Sequence, residues 1–468
     1  MDKKHLKLIR TTSLILALAV TSTVLIKTPA REAQASTTSS PISRPQDPAV
    51  LTGAQLPTMI QGEPISELRL FAFDGSNWTA IPFQVDELDS NGEYVASGYD
   101  DQDGGLGLLD ANDELVFMGA DSGFLATCAD LSGPSVEQAE RVVIQVQDSL
   151  NAETGYVYLY HDASLYISPE SYVTWSDATQ TITGTYGSGY TTVFGGGKTP
   201  QFIGIADMMI NGSEDFLDRQ HFQLDISLKV DIGFGCSVLG LNLSCTFTEE
   251  GSNELYCGTL WGLFHPPLTV SLLSGPVRAV SNTGYAFYGS RIDYTQFFPL
   301  EIIYDYSMVC PNSVAVEQLR MSFDLNNPSS HGINTYYDSN GSNATIDGVQ
   351  DTIASTPFYD WFQYSGGTYG GLVTNILDIQ VGSGTANIYY MDDSAAGGTG
   401  DGSSYGETGP NVSGAGADLI GVRTSTYILP TGTDSNVGLL YSLNATNPLT
   451  ASAYVEGCEV LFLPLIMR

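Results

Sequence analysis

Between residues 221 and 234 the chain alternates without a break. Phe222, Leu224, Ile226, Leu228, Val230 and Ile232 fall on one side, and Gln223, Asp225, Ser227, Lys229 and Asp231 on the other. A period of two is the repeat of a strand with one buried face. Strand-like runs recur at 141–147, 156–160, 171–186, 268–281, 297–310, 313–325, 371–380, 386–391, 427–429 and 455–463, with turn residues between them. Strands of this number, with no regular helices interposed, predict packed antiparallel sheets rather than parallel α/β. No short internal repeat points to a propeller or β-helix. The expected fold is all-β, a large antiparallel β-sandwich. A smaller N-terminal β-domain is expected over residues 49–165, and the main sandwich over 166–468. Residues 203–220 alone look partly helical, broken at Asn211-Gly212. Residues 187–199, 324–360 and 392–416 read as polar or glycine-rich loops.

The first 35 residues read as a secretory signal. Lys3, Lys4, Lys7 and Arg10 precede an apolar run over 13–26, and Ala33-Gln34-Ala35 is a small-residue cleavage site. An uncleaved anchor is the other reading of the same run. Residues 36–48 form a Ser/Thr/Pro linker. The expected location is secreted or cell surface, with no transmembrane helix in the mature chain. Lys and Arg total 17 against 52 Asp and Glu. Removal of the signal leaves 11 basic and 50 acidic residues, a net charge of −39. Such a field repels nucleic acid and anionic surfaces. All six cysteines lie beyond the signal, and an oxidising compartment favours disulfides. Cys236 and Cys245 flank a predicted turn and suit a cross-hairpin bridge; reduced, buried thiols are the alternative.

Residues 81–123 concentrate acids. Two strand signals, at 81–85 and 114–118, bracket Asp86, Glu87, Asp89, Glu93, Asp100, Asp101, Asp103, Asp110 and Asp113 with no Lys or Arg. Calcium takes six to eight oxygens, and glycine lets a loop wrap the ion. Asp101, Asp103, Asp110, Asn112 and Asp113 are the candidate ligands. A solvated acidic turn is the plainer reading.

Three short motifs resemble secreted bacterial proteins with a galactose-mutarotase-like or polysaccharide-lyase-like β-supersandwich. They are Ile81-Pro82-Phe83-Gln84-Val85-Asp86-Glu87-Leu88-Asp89, Asp113-Glu114-Leu115-Val116-Phe117 and Gly275-Pro276-Val277-Arg278-Ala279-Val280. The resemblance implies a supersandwich fold and a carbohydrate-associated role, and no particular reaction. The tail Phe462-Leu463-Pro464-Leu465-Ile466-Met467-Arg468 resembles a C-terminal sorting or anchoring tail of secreted bacterial proteins; an apolar last strand explains it equally.

Three functions follow. The leading one is binding of a polysaccharide or cell-surface glycan, with calcium stiffening the loops and Tyr359, Trp361 and Tyr364 as stacking platforms. The second is a lyase- or mutarotase-type enzyme using Arg219, His221, Arg278 and Tyr285, since uronate chemistry needs a cation and a base. The third is a structural or adhesive surface protein. Each candidate residue has a plainer reading. Arg on a strand pairs with nearby acids, and most aromatics belong to the core. No G-x-S-x-G, H-E-x-x-H or P-loop is present.

Overall fold

The computed structural model describes residues 41–95, 106–127, 141–194, 205–230, 241–250, 269–286, 290–309, 314–353, 360–395, 403–416 and 419–455. For some strand residues, Arg219 and 221–230 among them, it describes the backbone course alone.

In chain order the first strands are β1 (Pro48–Thr52), β2 (Leu68–Phe73), β3 (Trp78–Ala80), β4 (Gln84–Asp86), β5 (Glu114–Met118), β6 (Val142–Asp148) and β7 (Glu153–His161). Next come β8 (Val173–Ser176), β9 (Thr181–Tyr186), β10 (Ser188–Phe194) and β11 (Ile205–Ile210). Long strands follow: β12 (Leu217–Val230), β13 (Leu241–Glu250), β14 (Thr269–Ser274), β15 (Ala279–Ala286), β16 (Ser290–Phe297), β17 (Glu301–Val309) and β18 (Val314–Leu325). The last are β19 (Thr335–Asp338), β20 (Asn343–Thr345), β21 (Trp361–Gly366), β22 (Gly370–Val381), β23 (Thr385–Asp393), β24 (Ser404–Gly416) and β25 (Leu419–Leu429). Helix α1 (Gly438–Thr446) and β26 (Thr450–Val455) close the described chain.

The strands form five sheets. The largest has nine strands in the order β14-β15-β16-β17-β25-β22-β21-β19-β20. A five-stranded sheet runs β13-β12-β18-β24-β23, and a four-stranded sheet β11-β10-β9-β8. The N-terminal part holds β1-β5-β4 and β26-β6-β7-β2-β3. The named pairings are antiparallel, as the sequence pattern requires. The main core fills the space between the nine-stranded sheet and its neighbours: Val173, Ile182, Phe216, Phe297, Leu325, Phe362, Leu372 and Ile428 are buried there together. A second core lies between the two N-terminal sheets, with Ala49, Leu51, Leu70, Phe117, Ile144 and Val157. Strand β26 returns from the far end of the chain to pair with β6, so this sheet draws on both ends of the unit Ser39–Arg468.

Several loop and helix expectations are corrected. The segment read as partly helical is β11, a turn and the start of β12. The Asn211-Gly212 break is real, but it joins strands: both residues take positive φ, and Asn211 tolerates it. The supposed loops at 187–199 and 392–416 contain β10 and β24, and the polar insertion at 324–360 contains β19 and β20. Their small residues are glycines and serines placed against a neighbouring backbone, as Gly409 is against Met321. The run 268–281 is two strands, broken at Gly275-Pro276.

Candidate functional site

The three motifs of the resemblance meet in one buried knot. Gln84 on β4 accepts the backbone N–H groups of Val277 (2.9 Å) and Arg278 (2.8 Å) with its Oε1. Its Nε2 donates to both oxygens of Asp86 (2.7 and 2.9 Å). Asp86 in turn receives Arg278 Nε at 2.7 Å and Nη2 at 2.5 Å. Arg278 Nη2 also reaches Glu114 on β5 at 2.5 Å, and Nη1 donates to Gln296 at 2.8 Å. The guanidinium lies against the rings of Tyr94 and Phe298, at 5.0 and 5.7 Å from their centroids. Arg278 is 1% exposed. Burial alone would discharge it, but the facing carboxylates hold its pKa above the ordinary value. Gly275 is required at the strand break, because a Cβ there would run into the Gln84 side chain.

This knot accounts for Arg278, whose donors are consumed within it. The other residues expected at an enzyme site do not join it. Arg219 and His221 lie on β12 of the five-stranded sheet, in register with Asp324 and Ser322. Tyr285 lies on β15 of the nine-stranded sheet, opposite Arg291. The four candidates therefore divide between two sheets. On the five-stranded sheet the register partners of Arg219 and His221 sit beside a buried polar row: Arg320 Nη2 lies 3.5 Å from Glu407, and Ser322 donates to Glu407 at 2.6 Å.

The expected stacking platforms are interior. Trp361 and Tyr364 are 5% and 0% exposed; Tyr364 donates to the Gly406 carbonyl at 2.7 Å. Trp361 packs beneath Gly438 of α1. Tyr359 lies outside the described residues. In the acidic stretch, Asp101 and Asp103 also lie outside them. The remaining members fold the turn: Asp113 accepts the N–H groups of Leu88 (3.2 Å) and Asp110 (2.8 Å), and Asn112 donates to the Leu88 and Asp89 carbonyls (2.8 and 2.9 Å). Among the described residues no group of three or more His, Cys, Asp or Glu is placed to hold a metal. Cys245 lies on β13 opposite Ile226; Cys236 and the sorting-type tail lie outside the described residues.

A second, half-buried group lies beside the knot. Strand β5 runs past Met118 into a single 3-10 turn, Gly119–Asp121, and so carries Asp121 to the rim. On the other side the Pro276 carbonyl accepts the N–H groups of Tyr172 (2.7 Å) and Val173 (3.2 Å), fixing the segment that leads into β8. The Tyr172 and Tyr186 rings meet edge to face at 4.9 Å, over a floor of Val116, Met118, Val277 and Phe298. Both hydroxyls converge on Asp121 Oδ1, from Tyr186 at 2.8 Å and from Tyr172 at 3.2 Å. Tyr172 also lies 3.5 Å from Glu170, which is exposed at the rim. The rings and Asp121 are half-buried, and Tyr166 and Ile167 project nearby in sequence, 64% and 55% exposed. Burial pushes the Asp121 carboxyl up to about 6, against the pull of the two hydroxyls. Burial, then the Asp121 charge, raises both tyrosines above their ordinary range, so they stay neutral donors. Among the described residues the buried Asp121 Oδ2 has no hydrogen-bond partner. The arrangement offers apolar ring faces beside strong hydrogen-bond acceptors, the chemistry that receives a polyol ring.

Sequence reasoning did not single out Asp121, Glu170, Tyr172 or Tyr186. Asp121 is one acid among many in the stretch, and its tyrosine partners lie 51 and 65 residues further on. The only sign was its place directly after the Asp113–Phe117 motif.

No protein-family profile matches the chain, and no curated protein matches it. Among solved structures it is similar to an alpha-N-acetylgalactosaminidase from Bifidobacterium bifidum. The GalNAc complex of that protein aligns at TM-score 0.30 and 9% identity, and its Gal-NHAc-DNJ complex at 0.31 and 10%. In both, the alignment spans 60% of this chain and 38% of that one. The likeness is at a level too low to carry that protein's activity or its site across.

Proposed function

We propose that the protein is an exported, carbohydrate-binding β-sandwich protein, and that the cleft of Asp121, Glu170, Tyr172 and Tyr186 is where a sugar binds. The observation that carries this reading is the convergence of two half-buried tyrosine hydroxyls on one carboxylate oxygen. A sugar hydroxyl donates to the carboxylate, and an apolar sugar face lies on a tyrosine ring. Asp121 Oδ2 is buried with no hydrogen-bond partner among the described residues, so a sugar hydroxyl reaches the carboxylate by turning it about its broad terminal torsion and taking the place of a tyrosine hydroxyl. The ligand is a neutral glycan: two carboxylates at the cleft and a chain charge of −35 disfavour an acidic one. Binding is preferred to lyase chemistry because the four residues expected to carry that chemistry lie on two sheets, with Arg278 committed to the knot. Calcium at residues 101–113 is proposed on the sequence alone; a rise in Tm on adding calcium is the expected result.

The test is a glycan array probed with the wild-type protein and with Tyr172→Ala. Neutral oligosaccharides should give the signal, and the variant should lose it by tenfold or more. Signal confined to acidic glycans, or unchanged in the variant, rejects the assignment.

A further inference from the structure

One buried hydroxyl faces two carboxylates where the turn before β1 meets the main sheet. Glu301 opens β17, and Tyr427 lies directly across from it on β25. Residues paired in this way share one face of a sheet. The Tyr427 hydroxyl donates to Asp47 Oδ1 at 3.1 Å, and Ser425 donates to Glu301 at 2.6 Å. Arg44, in the same turn as Asp47, pairs with it through Nε. Its Nη1 reaches Asp148, the last residue of β6, at 3.1 Å. The guanidinium also donates to the carbonyls of Asn447 and Asn444, both at 3.0 Å, at the C-terminal end of α1. The Tyr441 ring of α1 lies 5.3 Å from that of Tyr427. Turn, β6, α1 and the nine-stranded sheet are therefore tied at one point, and Arg44, Asp47, Asp148, Glu301, Ser425 and Tyr427 are all buried there.

The charges at this junction do not balance. One guanidinium serves three carboxylates, and its hydrogen bonds go to Asp47, Asp148 and α1, with none to Glu301. Tyr427 has one proton to give. With Glu301 neutral, that proton satisfies Asp47. An ionised Glu301 competes for it and adds a second buried negative charge, which is costly without a partner. Burial first, then the Asp47 charge, holds Glu301 up at about 8, against the Ser425 and Tyr427 hydroxyls and Arg44. Burial raises Asp47 as well, against the pull of Arg44.

We propose that Glu301 is a proton-dependent latch: as the acid it leaves the Tyr427 hydroxyl to Asp47, and its ionisation loosens the Arg44–Asp47 turn and the end of α1 from the nine-stranded sheet while the sheets stay folded. The closed latch keeps a proton that a Glu301 opened to water releases above about pH 4. Closure is therefore complete in acid, weakens as pH rises from about 4, and levels off above about 8, where the closed form ionises too. Each pH unit inside that window changes the closing equilibrium by up to about tenfold. This inference is independent of the sugar cleft.

The test is hydrogen–deuterium exchange of the full chain, read by mass spectrometry on peptides spanning 41–52 and 438–449 and corrected for the intrinsic effect of pH. In the wild type their protection should fall at least tenfold between about pH 6 and about pH 8, and it should barely respond to dilute urea, as a local opening does. In Glu301→Gln, which keeps an acceptor for Ser425 and cannot ionise, the fall should shrink below threefold. In Tyr427→Phe both peptides should already exchange fast at about pH 6, while peptides of β21 and β22 keep their protection. Four results overturn the proposal: protection that is flat with pH in the wild type, an undiminished fall in Glu301→Gln (Asp47 as the switch), wild-type protection in Tyr427→Phe, and a urea dependence as steep as that of β21 and β22 (global unfolding).

Discussion

Arg278 shows how a charged residue on a strand came to look catalytic. Its sequence context gave a cation near a tyrosine, and the fold uses it to bolt β4 and β5 to β15. Breaking one side of a buried ion pair strands the other, at a cost of about 3–5 kcal/mol. Arg278→Met should therefore lower the urea midpoint sharply with an unchanged m-value; an unaltered midpoint would refute the interlock. Gly275→Ala tests the same knot from the backbone side, since its Cβ meets Gln84. Overpacking of this kind costs about 1–3 kcal/mol. The short motifs containing Gln84, Asp86, Glu114 and Arg278 were legible in the sequence. Their meeting was not, because residues almost two hundred positions apart carry no local sign of contact. Asp121 and Tyr172 escaped notice for the same reason.

Strands with strict alternation were the most legible elements. Strand β12 is the clearest case: apolar and polar residues alternate along its sequence, and its backbone runs as a strand. Strands β10 and β24 were hidden by glycine and serine. Helix α1 was missed because its leucines face out, so its pattern does not mark a core stripe. The Asn211-Gly212 turn was found, though its flanks were misread. Asn211 sits at φ 50° and donates to the carbonyls of Tyr369 (2.6 Å) and Leu429 (2.9 Å), pinning the β11–β12 turn to the main sheet. Asn211→Ala loses the tolerance for this φ and both bonds. It should cost about 2 kcal/mol in a denaturant titration; a cost under a few tenths would show that the turn is held by other contacts.

At the scale of the molecule, buried acids set the pH dependence of stability. Burial first, then the Asp47 charge, pushes Glu301 up to about 8, although the Ser425 hydroxyl donates to it at 2.6 Å. Burial likewise raises Asp121, Asp215 and Asp392 to about 6. Unfolded carboxyls titrate at about 4. Between about pH 4 and pH 8 the folded chain therefore holds protons that the unfolded chain has released, and stability falls as pH rises through that window. The repulsion within a chain of charge −35 acts in the same direction. Tm should be higher at about pH 5 than at about pH 8.5, and added salt should narrow the gap. Glu301→Gln should flatten the upper part of the slope. A Tm that climbs from pH 5 to 8.5 would contradict the assignment of these carboxyls.

The central claim is that Asp121 receives a sugar hydroxyl as a carboxylate, beneath two neutral tyrosines. Its most direct test is the calorimetric affinity of the best neutral oligosaccharide from the array, measured across pH 4.5 to 8 with the wild type and Asp121→Asn. Affinity of the wild type should rise through about pH 6, where Asp121 ionises, and level off above it. The variant should bind weakly and without that rise. A wild-type affinity that is flat across the range, or an Asp121→Asn variant that binds as tightly as the wild type, would contradict the account.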